Sequence, residues 1–170
     1  MNVKKPKKAT FALGWKEWFN LDCLGLPAIK GKIDTGAKTS CLHAFNIESF
    51  FLEDVEYVRF DIHPLQKNKR LVRCCVARVI DRRMVSDSSG KKEKRFVIKS
   101  DLRIGERKVR IDLTLANRDS MTFRMLLGRD AVKQLKMIVD VSKSFVLGKK
   151  KRKEILKIYR KTKPNFELKS

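Results

Sequence analysis

The sequence predicts an all-β protein, a closed barrel or sandwich of short strands with one short helix. Apolar and polar residues alternate along several segments: Val58, Phe60 and Ile62 alternate with polar neighbours, and residues 109–115 repeat the pattern. Such alternation is typical of strands that bury one face. The chain has 170 residues, 42% of them hydrophobic, which is enough for one core and hardly for two. The number of such segments favours a barrel or a sandwich.

The predicted elements follow in order along the chain. Strands are predicted at 10–20, 27–33, 42–47, 58–62, 71–85, 93–102, 109–115 and 122–127, with a closing pair of strands within 136–148. The single helix is predicted at 130–135, because Asp130 can cap the amides at its start and Gly128 lets the chain turn into it.

The positive charge is concentrated at the two ends. Of the net charge of +22, residues 1–8 contribute four lysines, and residues 149–163 contribute nine Lys or Arg against one Glu. We therefore divide the chain into a basic N-terminal tail at 1–9, one domain at 10–148 and a basic C-terminal tail at 149–170. Apolar residues recur at helical spacing at 155–159, which predicts either a marginal basic helix or a disordered tail. Such a field attracts polyanions without specifying which, and solvated tails that only aid solubility are the alternative.

Composition also argues against several classes of protein. The longest apolar runs are far short of the roughly 20 residues that cross a bilayer. The N-terminus lacks the apolar stretch of a signal peptide, so a cytoplasmic location is expected. The four cysteines are expected to be reduced thiols, since adjacent Cys74 and Cys75 would point to opposite faces of a strand.

An acidic loop is the first candidate for chemistry. A predicted strand runs directly into Asp34, which is followed by Thr35, Gly36 and Ala37. Alone, this triplet also fits a turn in which the carboxylate accepts hydrogen bonds from backbone amides. About 90 residues downstream come Leu126, Leu127 and Gly128, a strand of two bulky apolar residues and a glycine. Aspartic proteases pair their acid loop with such a strand, so Asp34 is predicted to be catalytic.

A hairpin is predicted at 82–93. Two strand-like arms flank a polar tip formed by Ser86, Asp87, Ser88, Ser89 and Gly90. This segment is either an ordinary exposed turn or a mobile flap over a cleft.

The chain resembles a small bacterial retropepsin-like family long labelled as ATP-dependent zinc proteases. The resemblance covers roughly residues 14–148 and is carried by GLPAIK at 25–30, KIDTGAKTS at 32–40, LHA at 42–44, NRD at 117–119 and FRMLLGR at 123–129. It implies a retropepsin-like closed barrel subunit with one Asp34 per subunit, and a homodimer that brings two copies together. Some members of this family sit beside enzymes that add glutamate tails to a ribosomal protein. The basic tail after Gly148 lies outside the resemblance.

The inherited label does not fit the residues. The two histidines, His43 and His63, belong to no His-Glu-x-x-His run, and no glycine-rich loop ends in Gly-Lys-Ser or Gly-Lys-Thr. Neither a metal nor another cofactor is therefore expected. His43 lies close to the acid loop and is either a structural residue or part of a substrate pocket.

These observations predict an aspartic endopeptidase in which paired Asp34 carboxylates of a homodimer activate a water. Two such carboxylates about 3 Å apart share one proton, so one acts as base and the other as acid. Acidic, glutamate-rich peptides are the substrate hypothesis, based on charge and family association. The alternative is a non-catalytic binding module whose basic tails hold RNA, the ribosome or another acidic partner. A small domain that assists a partner enzyme by docking is a third interpretation.

Overall fold

The structure is a computed structural model that describes residues 11–87, 89–117 and 122–165. Those residues form eleven strands, two α-helices and one 3-10 turn at Asp22–Leu24. The strands are β1 (Ala12–Gly14), β2 (Lys16–Leu21), β3 (Leu26–Asp34), β4 (Ser40–His43), β5 (Phe45–Leu52), β6 (Val55–Ile62), β7 (Arg73–Ser86), β8 (Lys92–Ile104), β9 (Arg107–Ala116), β10 (Met125–Gly128) and β11 (Ile138–Asp140). The helices are α1 (Arg129–Leu135) and α2 (Arg152–Lys161).

Nine of the strands form one sheet that closes on itself. Its order is β2-β3-β10-β4-β9-β8-β7-β6-β5, and a further pairing between β2 and β8 joins Asn20 to Arg103. This pairing closes a ring of six strands, from which β7, β6 and β5 extend. The remaining strands, β1 and β11, pair in parallel as a separate small sheet. The all-β prediction is confirmed, and the ring closes through a single residue pair.

Alternating burial explains the strands. On β6, Val58, Phe60 and Ile62 are fully buried, as the period-two pattern predicted. The same holds on β9 for Ile111 and Leu113. One continuous core joins the ring strands to β6, β7 and α2, and burial of these apolar faces is the main source of the stability of the fold.

The predicted closing pair of strands within 136–148 is wrong, because only β11 forms there among the described residues. The chain after β11 instead makes backbone hydrogen bonds where β1 meets β2: the Trp15 amide donates to the Lys143 carbonyl and the Phe145 amide to the Lys16 carbonyl, both at 2.9 Å. A buried carboxylate also holds this segment. Oε1 of Glu17 accepts hydrogen bonds from the Gly14 amide at 2.7 Å and the Val146 amide at 2.9 Å. The Val146 amide thus donates to the Glu17 side chain and not to the backbone of a neighbouring strand.

Helix α1 forms where the sequence predicts it, but its start has a different cause. Asp130 makes no capping hydrogen bond through its side chain. The amides of Arg129 and Asp130 instead donate to the carbonyls of Ala37 and Lys38, at 2.9 and 3.2 Å. The first turn of α1 is therefore satisfied by the acid loop itself.

A second helix, α2, corrects the prediction of one helix. It lies in the segment for which the sequence left a helix or a disordered tail open, and it packs on the barrel. Tyr159 is buried, and its hydroxyl donates to the Ala28 carbonyl on β3 at 2.6 Å. The Arg73 guanidinium donates to the Tyr159 carbonyl and lies 5.2 Å from the Tyr159 ring centre. Neither helix is long and apolar enough to cross a bilayer.

Candidate active site

Three strand ends meet at the acid loop. Strand β3 ends at Asp34, and β10 runs parallel beside it with Gly128 opposite Asp34. Strand β4 pairs with the other side of β10 in antiparallel direction. The two motifs that the sequence singled out, Asp34 to Ala37 and Leu126 to Gly128, therefore lie in contact despite a separation of about 90 residues.

Hydrogen bonds within the loop orient the Asp34 carboxylate. Oδ1 accepts from the amides of Gly36 at 3.1 Å and Ala37 at 3.2 Å, while Oδ2 accepts no hydrogen bond from the described residues. A Cβ atom at Gly36 would lie 3.3 Å from Oδ1, tighter than an ordinary contact. Asp34 is half-buried, whereas Thr35 and Gly36 are exposed. One carboxylate oxygen is thus held by the backbone and the other is left for water or substrate.

Close packing of Gly128 fixes the loop from behind. Its amide donates to Oγ of Ser40 at 3.0 Å. A Cβ atom at this position would lie 2.7 Å from the Lys38 carbonyl oxygen, a distance that real side chains do not adopt. Arg129 adds a hydrogen bond from Nη1 to the Gly36 carbonyl at 2.9 Å. Sequence reasoning named Gly128 but missed Ser40 and Arg129, whose roles depend on which strands become neighbours.

A cleft of about 1150 Å³ opens above Asp34. The acid loop forms one side, the hairpin of β7 and β8 another, and Trp15, Phe123 and Leu126 supply apolar surface. This volume exceeds the roughly 300–1,000 Å³ of pockets that hold drug-sized ligands. Leu127 points away from the cleft into the core.

The candidate flap is a β-hairpin beside this cleft. Ser86 and Asp87 line the cleft, whereas Ser89 and Gly90 form the turn; Ser88 lies outside the described residues. Oδ1 of Asp87 accepts from the amides of Ser89 at 2.8 Å and Lys91 at 3.0 Å. The Asp87 side chain therefore stabilises the turn. Gly90 has the positive φ of 83° that this turn requires.

Two arginines face each other across the hairpin. Arg83 on β7 pairs directly with Arg95 on β8, and both line the cleft. Like charges directly opposite destabilise a sheet, so each is compensated. Arg83 contacts Asp81 at 2.7 Å and Asp112 at 3.1 Å, and the hydrogen bond that Arg83 donates to Asp81 raises the pKa of Arg83 above its usual value. Arg95 is only 5% exposed and contacts Glu93 at 2.9 Å.

The histidines and cysteines noted in the sequence do not come together in one site. His43 is buried on β4, and His63 stacks on Phe45 with ring centres 4.6 Å apart. Within the described residues, no group of three or more His, Cys, Asp or Glu side chains is arranged to hold a metal ion. The cysteines Cys23, Cys41, Cys74 and Cys75 form no disulfide with one another.

A closed ring of strands with a strand-end aspartate at the base of a cleft, beneath a β-hairpin, defines a retropepsin-like fold. The chain belongs to the RimB-like family, described as the retropepsin-like aspartic endopeptidase RimB, whose model matches residues 12–150. The resemblance found in the sequence is thereby confirmed. The match ends before α2.

Curated relatives carry this domain within longer chains. Proteins named probable alpha-L-glutamate ligase from Shewanella pealeana and Desulfotalea psychrophila are each 44% identical to it over 149 residues. The aligned region is 88% of this chain but only 32% of each ligase, so the chain spans about a third of the length of these relatives.

A solved structure shares the fold. A Legionella pneumophila protein of unknown function, Lpg0085, is 25% identical and superposes with a TM-score of 0.68. The alignment covers 82% of this chain and 99% of that one.

Proposed function

We propose that this chain is one subunit of an aspartic endopeptidase whose site contains the Asp34 carboxylates of two identical chains. The observation that carries the proposal is Asp34 itself, oriented by the Gly36 and Ala37 amides at the base of the cleft. Membership of a family described as retropepsin-like aspartic endopeptidases supports it.

The reaction needs two carboxylates sharing one proton. The ionised carboxylate takes a proton from water, whose oxygen attacks the carbon of the scissile carbonyl. The protonated carboxylate donates its proton to the carbonyl oxygen. Collapse of the tetrahedral intermediate then breaks the C–N bond, and the leaving nitrogen takes a proton from the carboxylate that acted as base. One hydroxyl of the intermediate returns its proton to the other carboxylate as the new carbonyl forms, which restores the shared proton.

A homodimer supplies the second carboxylate. Each chain carries one Asp-Thr-Gly run, so an isologous pair around a twofold axis brings two copies of Asp34 together. Thr35 supports this arrangement because it lies exposed beside Asp34, and its hydroxyl forms no hydrogen bond within the described residues. In the dimer this hydroxyl bonds to the partner's loop and fixes the two carboxylates relative to each other.

Acidic peptides are the proposed substrates. Arg83 and Arg95 line the cleft together with Lys32, Lys38 and Arg129, and a buried guanidinium binds a carboxylate strongly and directionally. The curated relatives are named glutamate ligases, which associates the same domain with glutamate chemistry. The tip of the hairpin, Ser86 to Gly90, is proposed to move as a flap that closes over the bound peptide.

The test is cleavage of a peptide library that includes oligo-glutamate sequences, from acid to neutral pH, with and without a chelator. We expect cleavage by the wild type, no effect of the chelator, and a loss of at least about a hundredfold in Asp34→Asn. Asp54→Asn, the same change in an exposed turn between β5 and β6, is the matched control and should retain activity. A folded Asp34→Asn protein with wild-type turnover would falsify the assignment.

Mixing the subunits tests the shared site separately. An excess of Asp34→Asn chain should lower the activity of a fixed amount of wild type, because mixed dimers have one aspartate. Activity that is independent of the added variant would show that each chain works alone.

A further inference from the structure

The outward face of α2 and the segment before it is strongly basic. We call this surface the α2 basic face. It consists of eight exposed cations: Lys149, Lys150, Lys151, Arg152, Lys153, Lys157, Arg160 and Lys161. Within the described residues, none of them forms an ion pair with an acidic side chain. The only acidic residue of the helix, Glu154, accepts a hydrogen bond from the Lys151 amide at 3.1 Å and so serves as a cap.

This arrangement of charge is unfavourable for the chain on its own. Lys153, Lys157 and Lys161 are spaced four residues apart, so they form one row of like charges along the helix, and like charges at that spacing destabilise a helix. Lys151 and Arg152 lie at the start of α2, where the helix dipole favours negative charge. A bound polyanion would relieve both effects.

Other contacts hold the helix in place despite its charges. Tyr159 is anchored by Ala28 and Arg73, and Ile155 is buried beside it. Beyond the helix, the Asn165 side chain donates to the Val76 carbonyl at 2.7 Å and accepts from the Val76 amide at 3.0 Å. The cations are therefore presented by a fixed element rather than by a flexible tail.

The basic surface extends to the loop between β6 and β7. Leu71 and Val72 line a groove together with Leu156, Arg160 and Lys161, so this loop lies beside the helix. The loop contributes three more exposed cations, Lys67, Lys69 and Arg70. The helix and this loop, distant in sequence, thus lie side by side, and both carry exposed cations.

We propose that the α2 basic face binds the phosphate backbone of a nucleic acid. The apolar residues of α2 are turned inward, as Ile155 and Tyr159 are buried and Leu156 and Ile158 half-buried. Protein interfaces have an apolar or aromatic centre and are depleted in lysine, whereas contacts to phosphates need only cations. On α2 itself, this density of cations without an exposed apolar side chain favours nucleic acid over an acidic protein.

The surface is separate from the cleft. Ala28, which anchors Tyr159, is six residues before Asp34 on the same strand, a separation of about 20 Å along β3. Six of the eight cations of the α2 basic face also lie beyond residue 150, where the match to the family model ends. Binding here is thus independent of peptide hydrolysis.

The experiment measures anisotropy of a labelled RNA hairpin and a labelled DNA duplex with the full-length chain over a range of salt concentrations. The variant is Lys153→Gln/Lys157→Gln/Lys161→Gln, because glutamine removes the charge and keeps helix propensity. The control is Lys94→Gln/Lys133→Gln/Lys136→Gln, which removes the same charge from exposed positions elsewhere. We expect at least about tenfold weaker binding in the variant than in the control. For duplex nucleic acid, the slope of log K against log salt concentration should be less steep in the variant than in the wild type, by about two to three.

The outcomes distinguish the sources of the ligand and the competing partner. Preference for the hairpin or the duplex identifies RNA or DNA, and circular dichroism should show α2 retained in the variant. Equal weakening in variant and control would show that net charge alone is responsible and would overturn the proposal. Absence of binding by the wild type at about 50 mM salt would overturn it too, as would tighter binding of an oligo-glutamate peptide of equal charge.

Discussion

Gly128 and Asp34 lie opposite each other where β10 runs parallel to β3, and there is no room for a side chain on Gly128. The Gly128 backbone instead approaches the loop that follows Asp34, with its amide 3.0 Å from Oγ of Ser40. The position of the carboxylate thus depends on a glycine about 90 residues away in the sequence.

Gly128→Ala should displace the acid loop. Its Cβ would lie 2.7 Å from the Lys38 carbonyl oxygen and 2.7 Å from the Thr39 carbonyl carbon, both backbone atoms that cannot rotate away. We expect a loss of about 1–3 kcal/mol in the free energy of unfolding, as for other overpacked sites, and a larger loss of peptidase activity. Urea denaturation and the cleavage assay measure the two effects.

Gly105→Ala is the control for that experiment. It adds the same methyl group at a turn where the nearest atom outside the neighbouring residues is 3.7 Å away, although φ is +56°. It should cost up to about 1 kcal/mol through the backbone alone and keep full activity. If Gly128→Ala were as active as Gly105→Ala, the close approach would have no part in placing Asp34.

Much of the fold could be predicted because it is local. Alternation defined β6 and β9, since a half-buried strand imposes a period of two on its own residues. The segment after β11 could not be predicted, because its amides bind the carboxylate of Glu17, which is distant in sequence. For α2 the sequence left a helix or a disordered tail open, because the stability of this helix depends on Tyr159 reaching Ala28 and Arg73.

The residues of the candidate site also fall into those that the sequence predicted and those that it did not. Asp34 and Gly128 were found because their motifs can be read in the sequence. Ser40 and Arg129 were missed, since a serine or an arginine next to a motif has no signature of its own until the strand order is known. The opposition of Arg83 and Arg95 depends on the register of β7 with β8, which a hairpin prediction alone does not fix.

Arg95→Gln should lower the preference of the enzyme for acidic over neutral peptides. If Arg95 binds an acidic side chain, removing its charge should lower kcat/KM for an acidic peptide by about ten- to hundredfold, the value of a charged hydrogen bond, and leave a neutral peptide nearly unaffected. Arg59→Gln is the matched control, because Arg59 pairs with Glu48 on the exposed part of the sheet. Equal losses on acidic and neutral peptides would indicate a structural role for Arg95.

Glu17→Gln should destabilise the fold away from the cleft. The carboxylate is buried and accepts from the amides of Gly14, Val146 and Leu147, while a glutamine has only one accepting oxygen and adds two donors. We expect a loss of about 1–3 kcal/mol in the free energy of unfolding, because at least one buried amide loses its partner. Glu106→Gln, on an exposed turn, should change it by less than about 0.5 kcal/mol. Denaturant titration of both variants measures these free energies. Equal stabilities of the two variants would contradict the role of Glu17 as a buried acceptor.

Tyr159 should make the protein less stable in alkali. Burial raises the pKa of the Tyr159 hydroxyl above its ordinary value of about 10, because the phenolate would lose its hydration. The unfolded chain therefore releases this proton at lower pH than the folded one. The stabilisation is complete below about pH 10 and declines as the pH rises further.

Tyr159→Phe removes both the titration and the hydrogen bond to Ala28. At pH 7 we expect the variant to be less stable by about 1–3 kcal/mol, since the buried Ala28 carbonyl loses its donor. Above pH 10 the gap between wild type and variant should narrow, because only the wild type has a proton at this site to lose. Urea denaturation of both proteins between about pH 7 and 11 measures the gap. Tyr57→Phe removes the other tyrosine hydroxyl of the chain, from a half-buried ring stacked on Phe50, and reports the general effect of that change. A constant gap across the whole range would show that the buried hydroxyl of Tyr159 does not govern alkaline stability.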